Sequence, residues 1–294
     1  MSAKWEIPQI SAINGGASIE QLIRKYDQTG PRYTSYPTTL NFNESFDPED
    51  YIRQINTQGD ASISPLSLYV HIPFCRDICY YCACNKLVSR DPEATTTYLT
   101  YLQREADLKA SLFDHRRPVL QLHLGGGTPT ALSHAELTQL VLMLSTRFLM
   151  VDLPNREYSI EIDPRSANPE TIALLKGLGF NRLSLGVQDF NPLVQEAIHR
   201  PQSLAMVEEL TTAARDHGFK SLNYDMIYGL PAQTLDTLES TLGQLITLSP
   251  DRIAYYSYAH LPERYKNQRA IDRQKLPSAE DKLQMQQLIV ERLV

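Results

Sequence analysis

Cysteine is missing from almost the whole sequence. All four cysteines of the 294-residue chain lie within ten positions, from Cys75 to Cys84, and every other segment has none. Disulfide bridges between distant parts of the fold are therefore excluded, since such bridges need cysteines in separate segments. Thiols crowded into one short stretch indicate metal or redox chemistry at that place.

Three further absences limit the functions open to the chain. No apolar run reaches about 18 residues, so we expect no membrane span, and the N-terminus lacks the apolar stretch of a secretory signal. Net positive charge is also absent: the formal charge is −6 and the pI is about 5.7, which disfavours general binding to nucleic acid or anionic membranes. We therefore expect a cytoplasmic protein without nucleic-acid or membrane partners.

From Leu66 onward, short β-branched and aromatic runs alternate with helical patterns. This alternation with short connections predicts an α/β fold with a parallel sheet and right-handed crossovers. Six such units predict a partial (β/α)6 barrel of the TIM-like type, open rather than closed by eight strands. The six predicted strands are Ser67–Ile72, Val119–Leu124, Tyr158–Ile162, Arg182–Val187, Ser221–Ile227 and Arg252–Tyr258.

Helix signals stand between these strands, and glycines at 177, 179 and 218 fall where helices should end. The start signals are the capping box from Ser133 to Glu136, the Asn168-Pro169 pair, and the N-caps Ser203 and Thr234. We therefore assign residues 66–294 to the barrel domain.

Residues 1–65 are predicted to form an N-terminal extension that packs over the barrel. Ile19–Tyr26 reads as a short helix, and another helix begins with Asp47 as N-cap and Pro48 at its first position. Pro31–Thr38 has too many prolines and hydroxyl groups for a core element, so it reads as an extended segment.

Polar residues recur at one end of the predicted strands. A parallel sheet that is covered on both faces should read almost wholly apolar, so these exceptions indicate one shared site at the carboxyl ends of the strands. They are the cysteine loop, Gly125–Thr130, Glu161 with Asp163, Gln188 with Asp189, Asp225, and Tyr258 with His260.

Several of these features also have a purely structural interpretation. A glycine run after a strand can be only a tight turn, and Glu161 or Asp225 can belong to a local ion pair. His71 and His123, both on strands, are interpreted as supporting residues rather than ligands.

The cysteines follow the pattern C-x3-C-x2-C-x-C. A structural zinc site needs four ligands closed around the metal, usually as two separated pairs. Three thiolates from one short loop suit three irons of a [4Fe–4S] cubane and leave the fourth iron for another ligand. The spacing therefore favours an iron–sulfur cluster over zinc or a redox disulfide.

These motifs resemble those of the radical S-adenosylmethionine (SAM) superfamily, in which C-x3-C-x2-C follows the first barrel strand and a Gly-Gly-Gly-Thr-Pro-Thr run comes later. From about Tyr26 onward the chain is similar to the oxygen-independent coproporphyrinogen III oxidase family. That similarity rests on Pro31-Arg-Tyr-Thr-Ser-Tyr-Pro37, Tyr69-Val-His-Ile-Pro-Phe-Cys75, Cys84-Asn-Lys86, Glu161-Ile-Asp-Pro-Arg165, Gly186-Val-Gln-Asp-Phe190 and Tyr228-Gly-Leu-Pro231.

The resemblance implies one [4Fe–4S] cluster and two molecules of SAM. It assigns the cluster to Cys75, Cys79 and Cys82, and the first SAM to Tyr69, Gly126 and Glu161. It assigns the second SAM to Tyr81, Gly127, Thr128, Gln188, Arg200, Asp225 and Ala259. The family commonly has phenylalanine at the position of Tyr81, a departure that keeps the aromatic face. Cys84 marks the family without belonging to the three ligands.

The implied reaction is oxidative decarboxylation of two propionate side chains of coproporphyrinogen III to vinyl groups, which gives protoporphyrinogen IX in haem biosynthesis. A 5′-deoxyadenosyl radical would carry out the hydrogen abstraction. The resemblance also implies an electron donor such as flavodoxin or ferredoxin, and we expect a monomer. Arg32 and Arg200 are hypothesised to bind carboxylates of the substrate.

Three alternatives remain. The first is the haem-chaperone relative of the family, which typically has phenylalanine in place of Cys84 and lacks the Pro31–Pro37 stretch. The second is another radical enzyme that acts on tetrapyrroles, such as a ring-opening methyltransferase. The third is a protein that binds cluster and SAM without turnover.

The end of the chain bears on the last alternative. The family has a helical domain after the barrel, whereas this sequence stops within a predicted helix, Ser278–Val294, that shows no stop signal. We interpret the chain as truncated, with the C-terminal helical domain missing, and its own turnover as open.

Overall fold

A computed structural model describes residues 41–57 and 64–294, together with the single positions 21, 25, 37 and 38. Most of the predicted helix Ile19–Tyr26, most of the extended segment Pro31–Thr38, and Arg32 lie outside the described residues. The N-terminal extension is therefore described only in part, and its predicted packing over the barrel stays a prediction.

A parallel sheet forms the centre of the described residues. Its strand order is β1-β4-β6-β7-β8-β9, with β5 added beside β4, while β2 and β3 pair with each other. The strands are β1 (Leu66–Ile72), β2 (Phe74–Cys75), β3 (Leu87–Val88), β4 (Pro118–Gly126), β5 (Leu149–Met150), β6 (Glu157–Ile162), β7 (Arg182–Gln188), β8 (Ser221–Tyr228) and β9 (Arg252–Ser257).

All six predicted strands are confirmed, within two residues at each end, as β1, β4, β6, β7, β8 and β9. Every pairing between them is parallel, and the strands follow one another in chain order. Within the described part of the chain the two outer strands, β1 and β9, pair on one side only. This open sheet confirms the predicted partial barrel.

Eight α-helices accompany the strands in the described ranges. They are α1 (Pro48–Thr57), α2 (Pro92–Ala110), α3 (His134–Ser145), α4 (Pro169–Gly177), α5 (Pro192–Ala197), α6 (Leu204–Asp216), α7 (Leu235–Leu248) and α8 (Ala279–Leu293). Short 3-10 turns cover Pro129–Ala131, Pro164–Ser166, Lys266–Ala270 and Arg273–Lys275. No helix among these residues is long and apolar enough to cross a bilayer.

The predicted helix starts are confirmed atom by atom. The Ser133 side chain accepts a hydrogen bond from the Glu136 amide, and the Glu136 carboxylate accepts one from the Ser133 amide. Asn168, Ser203 and Thr234 accept comparable bonds at the starts of α4, α6 and α7. Each cap satisfies amide groups that the first helical turn leaves unpaired, and such a cap typically stabilises by about 1 kcal/mol.

The core lies between the sheet and the helices. Ile72, Leu124 and Ile160 on the strands and Leu137 and Leu175 on the helices are fully buried. Each such side chain contributes about 1.5–3 kcal/mol relative to an exposed one. The sheet is therefore a rigid support for the loops at its carboxyl ends.

Helix α8 confirms the helix predicted over Ser278–Val294. Ser278 and Asp281 form a capping box at its start. Met285 is fully buried, Ile289 is nearly so, and the helix packs against α7 and β8. The sequence of this helix indicates Leu283, Leu288 and Ile289 as its apolar positions, whereas the most buried residue of the helix is Met285.

Candidate functional site

The cysteine loop leaves the sheet directly after β1. Its base is closed by the β2–β3 ladder, where the Leu87 amide donates to the Pro73 carbonyl at 2.7 Å and the Ser89 amide to the Cys75 carbonyl at 3.1 Å. All four cysteines are free thiols. The loop is therefore fixed at its base by backbone hydrogen bonds, which leaves the sulfur atoms available.

Asn267 holds the far end of the loop. Its side-chain amide nitrogen, Nδ2, lies 3.1, 3.0 and 2.8 Å from the carbonyl oxygens of Cys79, Tyr80 and Cys82. One amide group thus holds three backbone carbonyls of the loop, two of which belong to predicted cluster ligands. No motif in the sequence indicated this role.

Gln268 and His199 complete the support. The buried Gln268 donates from Nε2 to the carbonyls of Tyr81 at 2.8 Å and Ala259 at 3.2 Å. His199 donates from Nδ1 to the Ile78 carbonyl at 2.7 Å, and its ring stacks on Tyr80 with centroids 4.9 Å apart. His199 is exposed, yet it also positions the loop.

The sulfur atoms of Cys75 and Cys82 have polar neighbours. Cys75 Sγ lies 3.5 Å from the Thr128 hydroxyl, and burial raises the pKa of the Cys75 thiol. Cys82 Sγ accepts from the Cys84 amide at 3.4 Å. A hydrogen bond from the Cys84 thiol lowers the pKa of Cys82 to about 6, while the same contact raises the pKa of Cys84. Cys84 thus supports Cys82 as a thiolate.

The third sulfur, of Cys79, faces two arginines. Arg200 Nη1 lies 3.3 Å and Arg165 Nη2 lies 3.4 Å from Cys79 Sγ. Both guanidinium groups also contact Asp163, at 3.0 and 2.7 Å. Burial alone would raise the pKa of Asp163, but the charges of Arg200 and Arg165 and the hydrogen bonds from Arg165 hold that pKa below its usual range.

These donors fit a cubane cluster better than the rival sites. No disulfide is formed, and no three His, Cys, Asp or Glu side chains of the described residues converge as ligands of a single ion. In a cubane each thiolate binds a different iron, so its ligands need not converge on one point. Three supported thiols in one anchored loop match that requirement.

The residues assigned to the first SAM lie together. Strand pairing places Ile72 beside Gly126, and the Gly126 amide donates to Glu161 Oε2 at 3.1 Å. Glu161 Oε1 lies 3.2 Å from His123 Nε2, and the Tyr69 ring stacks on His123 at 5.7 Å between centroids. The Tyr69 and Glu161 side chains remain well exposed, so a ligand can reach them.

The strand histidines contact the side chains assigned to the first SAM. His71 Nε2 donates to the Asn85 carbonyl at 2.9 Å, so its Nδ1 accepts the Tyr69 hydroxyl proton at 3.0 Å. His123 Nδ1 lies 2.7 Å from the Ser159 hydroxyl. His71 thus orients Tyr69, and His123 orients Glu161.

The glycine run is required by close packing. A Cβ at position 127 would lie 2.4 Å from the Pro73 carbonyl oxygen, and one at position 126 would lie 2.8 Å from the Ile72 carbonyl oxygen. Gly126 also has φ of +122°, which side chains rarely adopt. The run thus lets β4 lie against the cysteine loop, whereas its predicted approach to a ligand stays a prediction.

The residues assigned to the second SAM form a looser group. Gln188 ends β7 with φ of +70°, an uncommon conformation for a residue with a side chain, and such strain is frequent at functional sites. The side chains of Gln188 and Arg200 both pack against Gly186. A Cβ at position 186 would lie about 3 Å from each of them, so the glycine leaves the room that they need. Burial raises the pKa of Tyr81, which the charge of Arg200 opposes.

Asp225 lies on β8, beside Gly186 in the register. Its carboxylate accepts from the Ser184 hydroxyl at 2.8 Å and from Asn223 Nδ2 at 3.1 Å. Burial raises its pKa, and the nearby charge of Glu161 raises it further. The structure thus brings Asp225 near Glu161, one of the residues assigned to the first SAM. Thr128 lies instead beside Cys75. Among the hydrogen bonds of the described residues, Ala259 contacts only Gln268.

Known proteins are similar to this chain in sequence and in fold. The oxygen-independent coproporphyrinogen III oxidase of Pseudomonas aeruginosa is 47% identical over 272 residues, covering 92% of this chain and 59% of that protein. The Escherichia coli protein of that name is 44% identical over 266 residues, covering 90% of this chain and 57% of that protein. The solved coproporphyrinogen III oxidase from Escherichia coli, described as a radical SAM enzyme, gives a TM-score of 0.83 at 42% identity, covering 88% of this chain and 59% of that one.

The chain thus spans slightly less than three-fifths of the length of these relatives. Residues 69–245, more than half of the chain, match the sequence profile of the family described as the radical SAM superfamily. That segment begins at Tyr69, just before the cysteine loop, and includes β4 to β8. The chain therefore belongs to the radical SAM superfamily, whose membership implies a [4Fe–4S] cluster and SAM.

Proposed function

We propose that this chain carries the cluster and SAM centre of an oxygen-independent coproporphyrinogen III oxidase. The observation that carries the proposal is the anchored three-cysteine loop at the carboxyl ends of the sheet, in a chain 47% identical to an oxidase of that name. Superfamily membership alone does not select a substrate. The identity over 92% of this chain supports coproporphyrinogen III.

Cys75, Cys79 and Cys82 would hold the cluster. When bound, the cluster and SAM supply the one-electron chemistry for oxidative decarboxylation of two propionate side chains to vinyl groups. Thr128, Cys84 and the two arginines place hydrogen-bond donors at the three sulfur atoms. Such donors orient thiolate ligands and stabilise their charge.

Glu161 would bind the amino group of the first SAM. Its carboxylate is already oriented by the Gly126 amide and by His123, so little conformational freedom is lost on binding. Tyr69 adds an exposed aromatic face, and its hydroxyl proton points to His71. The oxygen of Tyr69 is therefore free to accept a hydrogen bond from the ligand.

A second SAM molecule is part of the proposal. The strained Gln188 and the buried Arg200 both lie beside Gly186, which pairs with the partly buried Asp225, and this group of polar side chains supports a further polar ligand there. Equilibrium dialysis of the reconstituted protein with labelled SAM would measure the stoichiometry. Two molecules per chain support this part, and saturation at one overturns it.

Anaerobic reconstitution followed by a product assay tests the function. With dithionite, SAM and coproporphyrinogen III, we expect 5′-deoxyadenosine together with carbon dioxide, measured by mass spectrometry. Cys79→Ser should lose iron and both products, because one corner of the cubane loses its thiolate. Cys84→Ser is the matched control for iron content, since it leaves the three ligands in place and keeps both the backbone amide and a side-chain hydroxyl as donors to Cys82.

The alternatives give different products. Haem binding with neither 5′-deoxyadenosine nor carbon dioxide would support the chaperone relative. Transfer of a methyl group to a tetrapyrrole would support a methyltransferase. A loaded cluster that cleaves SAM without releasing carbon dioxide would show that this chain does not turn over the porphyrinogen. The cytoplasmic location, the electron donor and the monomeric state stay predictions.

A further inference from the structure

Arg165 lies against a predicted cluster ligand, although neither the sequence motifs nor the family resemblance assign it a role. Its Nη2 is 3.4 Å from Cys79 Sγ, and Arg200 Nη1 is 3.3 Å from the same atom. By contrast, the nearest donor to Cys75 Sγ is the uncharged Thr128 hydroxyl, at 3.5 Å. The Cys79 corner of the loop is thus contacted by two guanidinium groups.

Asp163 fixes the Arg165 side chain in this position. Arg165 donates from Nε to Asp163 Oδ1 at 3.0 Å and from Nη2 to Oδ2 at 2.7 Å. Paired contacts of this kind hold a guanidinium group in one plane. The side chains of Asp163 and Arg165 are only 12% and 19% exposed, so solvent cannot easily replace either partner.

The charges of this group balance only with a thiolate. Arg165 and Arg200 contribute two positive charges, and Asp163 contributes one negative charge. A ligating Cys79 is a thiolate and contributes the second negative charge. Because the group is largely buried, an unbalanced charge would be costly here.

We propose that Arg165 is a positioning residue for Cys79 whose hydrogen bond to the ligating sulfur raises the reduction potential of the cluster. One-electron reduction adds negative charge to the cluster and its thiolates. Donors and positive charge at the sulfur stabilise this reduced form more than the oxidised form. The inference rests on the proposed function, since it requires the cluster.

A potentiometric titration of the reconstituted protein tests the role. Iron and sulfide content are measured first, and the reduced cluster is then followed by electron paramagnetic resonance as dithionite supplies electrons, without SAM. Arg165→Gln should lower the reduced-to-oxidised ratio at a fixed potential at least tenfold, which for one electron is about 59 mV.

Arg182→Gln is the matched control. Arg182 pairs with Glu157 at 2.6 Å, but both residues begin their strands, at the opposite end of the sheet from the loop. The cluster of the Arg182→Gln variant should have the same reduction potential as that of the wild type. A fully loaded Arg165→Gln protein with the wild-type potential overturns the inference.

Two further outcomes are decisive. If Arg165→Gln does not retain iron, Arg165→Lys is titrated instead. Its ammonium cannot reproduce the two-point contact with Asp163, so a lowered potential supports the inference and an unchanged one overturns it. A wild-type protein that takes up no cluster would contradict the proposed function itself.

Discussion

Asp163 and Asp189 follow neighbouring strands and are both largely buried, but their partners differ. Asp163 lies between Arg165 and Arg200, and its pKa is lowered. Asp189 instead accepts hydrogen bonds from uncharged donors, among them Asn191 at 2.6 Å, Gln233 at 2.6 Å and Thr241 at 3.1 Å. Burial prevails over these bonds and raises the pKa of Asp189 to about 6.

The difference separates two tasks at one end of the sheet. The Asp163 region holds positive charge against a cluster ligand, which needs an ionised carboxylate. The Asp189 region joins the end of β7 to α7 and to the loop after β8, which needs only hydrogen bonds. Uncharged donors suffice for the second task, whereas the first depends on charge balance.

Among the variants that test this comparison, we expect Asp163→Ala to change the free energy of unfolding most. It leaves two arginines without their carboxylate in a buried place, so the free energy of unfolding should fall by about 3–5 kcal/mol. Urea denaturation of the protein without its cluster measures this loss of stability. The matched control is Asp107→Ala, whose partly exposed pair with Arg147 should contribute under about 1 kcal/mol. Equal losses in the two variants would contradict the role of Asp163.

The pH dependence of stability should have opposite signs in the two regions. The pKa of folded Asp189, about 6, lies above its ordinary 3.8, so the unfolded chain ionises first as the pH rises. The wild type should therefore lose stability relative to Asp189→Asn between about pH 4 and 6, by up to about 3 kcal/mol. Urea denaturation at several pH values measures this difference.

Asp163 provides the opposite case within the same protein. Its folded pKa is lowered, so its stabilisation is complete above its unfolded pKa and is lost as the pH falls through the folded pKa. The wild type should thus lose its advantage over Asp163→Ala only in acid. If the difference in the free energy of unfolding between wild type and Asp189→Asn stays constant from pH 4 to 6, the proposed contrast between Asp163 and Asp189 is wrong.

The smallest effect is expected from Thr241→Val. This change keeps the side-chain shape but removes one uncharged donor to Asp189, so the free energy of unfolding should fall by about 1 kcal/mol. Thr247→Val, on an exposed turn of the same helix, is the control and should change stability by less than about 0.5 kcal/mol. If both variants behave alike, the Thr241 hydrogen bond does not support Asp189.

The sequence predicted those parts of the fold that have local causes. The strands from Ser67 to Tyr258 follow from β-branched runs, and the helix starts at Ser133 and Asn168 from capping within three residues. The polar residues at the strand ends also predicted that side chains from several strands would lie close together, because parallel strands bring their carboxyl ends to one edge.

The support of the loop could not be predicted in this way. Asn267 and Gln268 reach the cysteine loop across more than 180 residues, and amide side chains carry no spacing signal. Arg165 was part of a recognised motif, but its contact with Cys79 depends on how β6 and the loop meet. Such contacts arise from tertiary packing rather than from local pattern.

The long sequence separation between Asn267 and the cysteine loop has a consequence for the synthesis of the chain. The loop carbonyls that it binds precede it by 185 to 188 residues. At synthesis rates of roughly 5–20 residues per second, the cysteines leave the ribosome about 10 to 40 seconds before this amide does. During that interval the thiols lack one of their supports, so a nascent chain that met iron early would bind it in a less ordered loop.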